Sequence, residues 1–381
     1  MVKPLGNNQV CVHIDRFDLS SYLLSNMQHS QFMIMTNVRW LVLSFAIVIQ
    51  IGNVGLNAQD LSATSNAAEL YIQAFAQLEN LSPVEKQRLQ RVHVSQPDSK
   101  GNTTQVDERE LLERLAPVLE LVQTASRLDQ ADWGNEVDDA QWLHLASSAK
   151  QLQRGLMLKA RLHIEEKEFE AASNVIVSAM AFSRHIGRDG IMIARLIESS
   201  TFKIVANLCA WKSTAFPKPV LKRMQENLSN LPVSMSAKEV LLAESQYSAR
   251  LSQQNGNPYP KKQIDDFLRF YDQAVAFGDL PLDQFEFQLK KLGGSFRDNM
   301  LIKGVLPVIS SMRHQIAVHE VNTALLGLGL KVLLGGPPVV KDAKDPSGKG
   351  PFEYVPLKNE SFELFSQLMQ RGEKLTFRFG S

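Results

Sequence analysis

Leu156-Met-Leu-Lys-Ala160-Arg-Leu-His-Ile-Glu-Glu-Lys-Glu-Phe169-Glu-Ala171-Ala172-Ser-Asn-Val-Ile176-Val-Ser-Ala179 decides the fold. The apolar positions Leu145, Ala149, Leu152, Leu156 and Ala160 recur at helical spacing and predict one long helix over 141–163. The charged run from Glu165 to Glu168 interrupts that stripe, and the same period resumes over 170–185. A long helix, a short polar turn and a returning helix make an antiparallel hairpin. Gly187 and Gly190 then bracket a break, and 191–211 predicts a third, strongly apolar helix.

The same pattern extends in both directions. Upstream, Leu70, Ala74 and Leu78, flanked by Tyr71 and Phe75, form one broad stripe over 66–78. Ser62, Thr64 and Ser65 are available as caps. The polar segment 81–101 predicts an irregular connection with a short helix. Val106 restarts a helix with acids in its first turn, where the helix dipole favours them. Downstream, Pro217 and Pro219 stop one run. Helices are expected over 220–231, 236–254, 263–277 and 282–292, and again within 295–334. Ser236 and Glu239 have capping-box spacing.

The pattern changes at Gly335-Gly-Pro-Pro338. Pro351–Val355, Ser361–Phe365 and Leu375–Phe379 alternate polar and apolar residues, which is the strand period. Lys358-Asn359 and Arg371-Gly372 supply the turns. A three-stranded antiparallel meander follows, and so small a sheet needs a helix to pack on. The expected fold is mainly α: stacked antiparallel helix pairs over 62–334, in a tetratricopeptide-like or irregular α-solenoid arrangement, with a small β-rich tail over 335–381.

Ahead of the helices, Met33-Ile-Met35-Thr-Asn-Val-Arg39 and the apolar run Trp40–Ile49 have the grammar of a secretory signal, 33–58. The run is shorter than the ~20 residues that span a bilayer. Ala58 suits a cleavage site and Leu56 does not, so both a cleaved signal and a retained anchor at 40–51 stand. Residues 1–32 are an aperiodic charged leader, and the expected translation start is Met33 or Met35. The expected location is therefore the periplasm or cell envelope, with membrane contact only through this segment.

Composition excludes several classes. The chain has 41 basic and 40 acidic residues, a net charge of +1 and no lysine- or arginine-rich block. A nucleic-acid partner is not expected. The chain holds two cysteines, Cys11 and Cys209. Cys209, in an apolar helical stretch, reads as a buried thiol. No cofactor or metal site is expected. His314 and His319 are five apart and face different sides of a helix, where a zincin needs four. There is no Gly-x-Ser-x-Gly, Walker loop or Gly-x-Gly-x-x-Gly, and Gly327-Leu-Gly-Leu-Lys331 lacks the third glycine. No residue is assigned a catalytic role.

The opening stretch resembles one tetratricopeptide hairpin. That resemblance implies Ala160 and Ala172 as the small residues where the two helices meet, with Lys167 in place of the usual turn glycine. More widely, four motifs occur in order: an Asn66-Ala-Ala-x-Leu-Tyr71 helix, an Asp132-Trp-Gly134 turn, Ser183-Arg-His185, and Asp345-Pro-Ser-Gly-Lys before Phe-Glu-Leu-Phe-Ser366. This order is similar to a group of uncharacterised exported helical proteins common in planctomycete-like bacteria. The resemblance implies export and no activity. The tail also resembles the end of type II secretion pseudopilins, although the prepilin start and the aspartate-rich end are absent.

Two groups are candidates for binding. Trp133, in the acidic loop Asp132–Asp139, reads either as a stacking platform for a cation or sugar or as a core residue above capping acids. Arg154, Arg161, Arg184, Arg188 and Arg195 read either as the lining of a groove for an acidic peptide or phosphate, or as partners of Glu165, Glu166 and Glu198. Trp133, Arg154, Arg161 and Arg195 are the expected binding residues. The expected function is a binding or scaffold protein that takes an envelope protein or peptide on its helical surface. The alternative is a hydrolase-like periplasmic enzyme assembled from scattered residues near Trp133 and His144.

Overall fold

A computed structural model describes residues 65–92, 105–134, 139–252 and 259–380. The leader, the signal-like segment and Cys11 lie outside these residues. The described part contains eleven α-helices followed by a three-stranded antiparallel sheet. α1 (Ala67–Glu79), α2 (Pro83–Arg91) and α3 (Gln105–Ala125) precede three long helices. These are α4 (Asp139–Glu165), α5 (Phe169–Gly187) and α6 (Met192–Lys212). Then come α7 (Lys218–Ser229), α8 (Ala237–Ser252), α9 (Lys261–Val275), α10 (Leu282–Ser295) and α11 (Met300–Gly335).

The hairpin of α4 and α5 forms as expected. Ala160 and Ala172 are both fully buried, and α4, α5 and α6 all pack on one another. The turn runs through Lys167 at φ 64°, the left-handed conformation that a glycine adopts without a Cβ penalty. Ser82–Glu85 and Ser236–Glu239 close reciprocal capping boxes at the starts of α2 and α8. A separate apolar cluster joins α8–α11 around Phe270, Tyr271, Phe285 and Ile316.

α11 is the spine of the molecule. It has 36 residues, about 54 Å at the α-helical rise, and packs on α6, α7, α9, α10 and the sheet. Among the described residues it is the one helix long and apolar enough to cross a membrane, and 67% of its apolar window is buried inside the fold. The burial is what a helix at the centre of a two-sided core requires.

The tail is the expected meander: β1 (Glu353–Pro356), β2 (Phe362–Gln370) and β3 (Glu373–Phe379), in the order β1-β2-β3. Arg371 (φ 56°) and Gly372 (φ 82°) form the two-residue connection between β2 and β3, where both positive φ values match the twist of the strands. β2 and β3 lie on α11. Phe379 sits so close to the helix that a Cβ on Gly329 would be 1.9 Å from its ring. The second glycine of Gly327-Leu-Gly329 therefore exists for packing. Asp345 accepts from Ser347 N at 2.8 Å and from the Ser366 hydroxyl, which fastens the Asp345–Gly348 turn to β2.

Candidate functional site

The last turns of α5 carry Ser183-Arg184-His185, and all three side chains are buried. Successive helical positions point about 100° apart, so each meets a different neighbour. Ser183 Oγ accepts from Gln153 Nε2 of α4 at 3.0 Å. His185 turns towards α1, where its Nδ1 is 2.8 Å from the Tyr71 hydroxyl. Its backbone oxygen accepts from Trp133 Nε1 at 2.8 Å. Arg184 turns the other way, towards α6 and α11.

The His185 side is an aromatic knot. Tyr71 stacks on Trp133 with ring centroids 5.9 Å apart, and Trp142 meets Trp133 edge-on at 4.9 Å. Asn66, the cap of α1, clips this loop: its Nδ2 donates to Asp132 O at 2.8 Å, and its Oδ1 accepts from Asp132 N at 2.9 Å. Three motifs separated by up to 114 positions thus close on one another. Burial, aided by Arg188, pulls the His185 imidazolium down to a pKa of about 4, so the ring is neutral at pH 7.

The Arg184 side is a buried charge network. Glu198 of α6 is fully buried and lies 3.1 Å from Arg184 Nη1 and 2.7 Å from Arg195 Nη1. The Ser234 hydroxyl donates to the same carboxylate. Glu198 fits because position 187 is glycine: a Cβ there would stand 1.7 Å from its Oε2. Arg184 Nη1 also donates to His319 Nε2 at 2.8 Å. A guanidinium only donates, so His319 is the neutral acceptor with its proton on Nδ1, which has no partner. Desolvation and the two arginines hold the His319 imidazolium well below its usual range.

Ser234, His319 and Glu198 have the residue types of a nucleophilic triad, but the geometry is different. Ser234 Oγ is 3.4 Å from His319 Nε2, and Glu198 Oε1 is 3.5 Å from that same nitrogen. A triad needs the acid on the opposite ring nitrogen, with the base free to take the hydroxyl proton. Here Arg184 occupies the base. The network holds charge in place and does not have the arrangement of a triad.

Two cavities flank the C-terminal end of α7, and Leu231 lines both. One, of about 500 Å³, is lined by Arg127, Asp129, Val177, Arg188, Asn227 and Asn230 among others. The other, of about 440 Å³, is lined by Arg184, Phe202, Gln225, Thr323, Lys331, Asp342 and Lys344 among others. Five basic side chains thus face two acidic ones, on a chain whose net charge is +1.

The expected binding residues are placed apart from these cavities. Trp133 is 4% exposed and enclosed by aromatic rings, so it offers no face to a ligand. Arg195 is 1% exposed and paired with Glu198. Arg161 is half-buried between Glu108 at 2.6 Å and Glu165 at 3.7 Å. Arg154 is half-buried on α4. Two arginines considered with them, Arg184 and Arg188, do line the cavities. Ser234, Thr323, Lys331 and Lys344 were not legible as site residues. A usable signal for Glu198 is an Arg195/Glu198 pair three residues apart inside an otherwise apolar helix. His144 is exposed beside Glu79. Cys209 is buried, and desolvation pushes its thiol up to about 12.

One other group brings ligand atoms together. His163, Glu166 and Glu168 converge within 4.8 Å at the turn between α4 and α5. His163 is already bonded to Glu168 at 2.6 Å and Glu166 to Arg109 at 2.6 Å, with the carboxylates at the surface. Exposed, mutually satisfied groups of this kind do not single out a metal. No family model, curated protein or solved structure matches this chain.

Proposed function

We propose that this is an exported binding protein that takes an acidic polypeptide across the paired cavities beside the C-terminal end of α7. Export rests on the signal-like segment 33–58 of the sequence. The single observation that carries the binding reading is the charge of the lining. Arg127, Arg188, Lys331 and Lys344 against Asp129 and Asp342, with Arg184 behind them paired to buried Glu198, make a local basic surface on a nearly neutral chain. Such a surface steers and selects an acidic partner. The helical pairs supply the frame, and in the buried network beside it Arg184 occupies the His319 nitrogen.

The test is titration of a fluorescently labelled decaglutamate peptide into the protein. Binding should weaken with salt, because charges are screened beyond ~10 Å at 0.1 M ionic strength. Replacing exposed Arg188 and Lys331 together with Glu should weaken it at least about tenfold, or 1.4 kcal/mol, with the melting temperature unchanged. Equal affinity for decaglutamate and decalysine, or no effect of the double reversal, would overturn the reading.

A further inference from the structure

We propose that the acidic partner carries one large apolar side chain, and that this side chain seats over Gly327 of α11 in the cavity between α7 and α11. This names the class of partner for the site proposed above and rests on that reading. Ala324, Gly327 and Lys331 follow one another at spacings of three and four residues, so they share one face of α11, and all three line the cavity of about 440 Å³. The accessible lining divides by chemistry. Leu228 and Leu231 at the C-terminal end of α7, Ala324 and Gly327 on α11, and Ala343 beyond it are half-buried. Lys331 and Lys344 are exposed, against one exposed carboxylate, Asp342. The apolar residues are thus the more enclosed and the cations the more open to solvent. That arrangement suits an apolar side chain flanked by acids.

The glycine itself marks the seat. Inside a helix glycine costs stability relative to alanine, because the unfolded chain has more freedom to lose. Gly329 has a packing reason, since the Phe379 ring leaves no room for a Cβ. Gly327 has no such reason: a Cβ there would meet nothing beyond its own helix within 4 Å. Its bare backbone, half-buried at the cavity wall, lets a ligand group approach α11 closely. Gly304 of the same helix is equally open but lines neither cavity, which makes it the control. The spacing to Lys331 adds a sequence requirement. Lys331 lies one turn beyond Gly327, about 6 Å along the axis at 1.5 Å per residue. That matches roughly two residues of an extended peptide at ~3.3 Å each, and residues two apart share a face. The partner motif that fits is an apolar residue with an acid two positions away.

The experiment compares two fluorescently labelled decaglutamate peptides, one with leucine and one with serine at the fifth position, so that both carry the same charge. The leucine peptide should bind the unaltered protein at least about fivefold more tightly, or roughly 1 kcal/mol. Gly327→Leu fills the open space and should bring the two peptides to equal affinity, at the level of the serine peptide. Gly304→Leu should leave their difference intact. Equal affinity of both peptides for the unaltered protein would overturn the apolar seat and leave the acidic-polypeptide reading standing. No binding of either peptide would remove both. A leucine preference that survives Gly327→Leu, that vanishes equally in Gly304→Leu, or a loss of both peptides alike in Gly327→Leu would overturn the seat at Gly327. If Gly327→Leu does not fold, Ala324→Leu, one turn earlier on the same face, replaces it with the same expected and contrary results.

Discussion

Replacing Glu198 with Gln tests the buried network that shapes the site. The side chain keeps its size and loses its charge. Glu198 is fully buried, and its carboxylate serves Arg184 at 3.1 Å, Arg195 at 2.7 Å and the Ser234 hydroxyl. Its removal leaves two guanidinium groups, 9% and 1% exposed, without their shared counter-ion. Breaking a buried pair by removing one partner costs about 3–5 kcal/mol. A Gln amide oxygen retains one acceptor, while its NH₂ faces a donor, so little of this is recovered. A domain of this size loses about 2 °C in melting temperature per kcal/mol, so the expected fall is roughly 6–10 °C. The control is Lys86→Gln, which removes an exposed pair with Glu79 and should cost less than about 1 kcal/mol. Urea denaturation of both variants measures the difference. A Glu198→Gln protein no less stable than the Lys86→Gln protein would refute the view that this carboxylate holds the network together.

Three further outcomes follow from the packing and the buried histidines. Gly329→Ala drives a methyl into the Phe379 ring and should cost about 1–3 kcal/mol, whereas Gly304→Ala, on the same helix with open space around it, should gain about 0.5–1 kcal/mol; paired urea melts measure both, and equal effects would refute the Phe379 contact. Ala172→Leu should overpack the α4–α5 contact by about 1–3 kcal/mol, and an unchanged melting temperature would refute that register. Stability should fall as pH drops from about 6.5 to about 4, because His185 binds its proton only near 4 when folded and at its ordinary value when unfolded; the unfolded chain then holds more protons, which favours unfolding by up to about 3 kcal/mol at pH 4 and below. His185→Asn should flatten that part of the urea-midpoint profile, and an identical slope in both proteins would exclude His185 as its source.

The fold was legible because its signals are local. Helical stripes, the Ser236–Glu239 box and the Arg371-Gly372 turn depend on residues a few positions apart, and the structure places each where the spacing puts it. The C-terminal meander was legible for the same reason: its alternation reports which face is buried. The site was not legible, because it depends on burial and on distant partners. Arg195 and Arg188 look alike in sequence, yet one is sealed against Glu198 and the other lines a cavity. Trp133 and Tyr71 carry no sign that they will stack on each other. The reason for Gly187 is a carboxylate eleven residues later, and the reason for Gly329 is a ring at the end of the chain.

The most direct test of the central claim, that an acidic ligand sits beside the C-terminal end of α7, is amide hydrogen exchange with and without saturating decaglutamate. Ligand-dependent protection should be confined to the cavity walls, around 126–129, 177–188, 225–232, 323–331 and 342–344. Protection that falls instead on the exposed surface of α4 around Arg154 and Arg161, or nowhere, would contradict it.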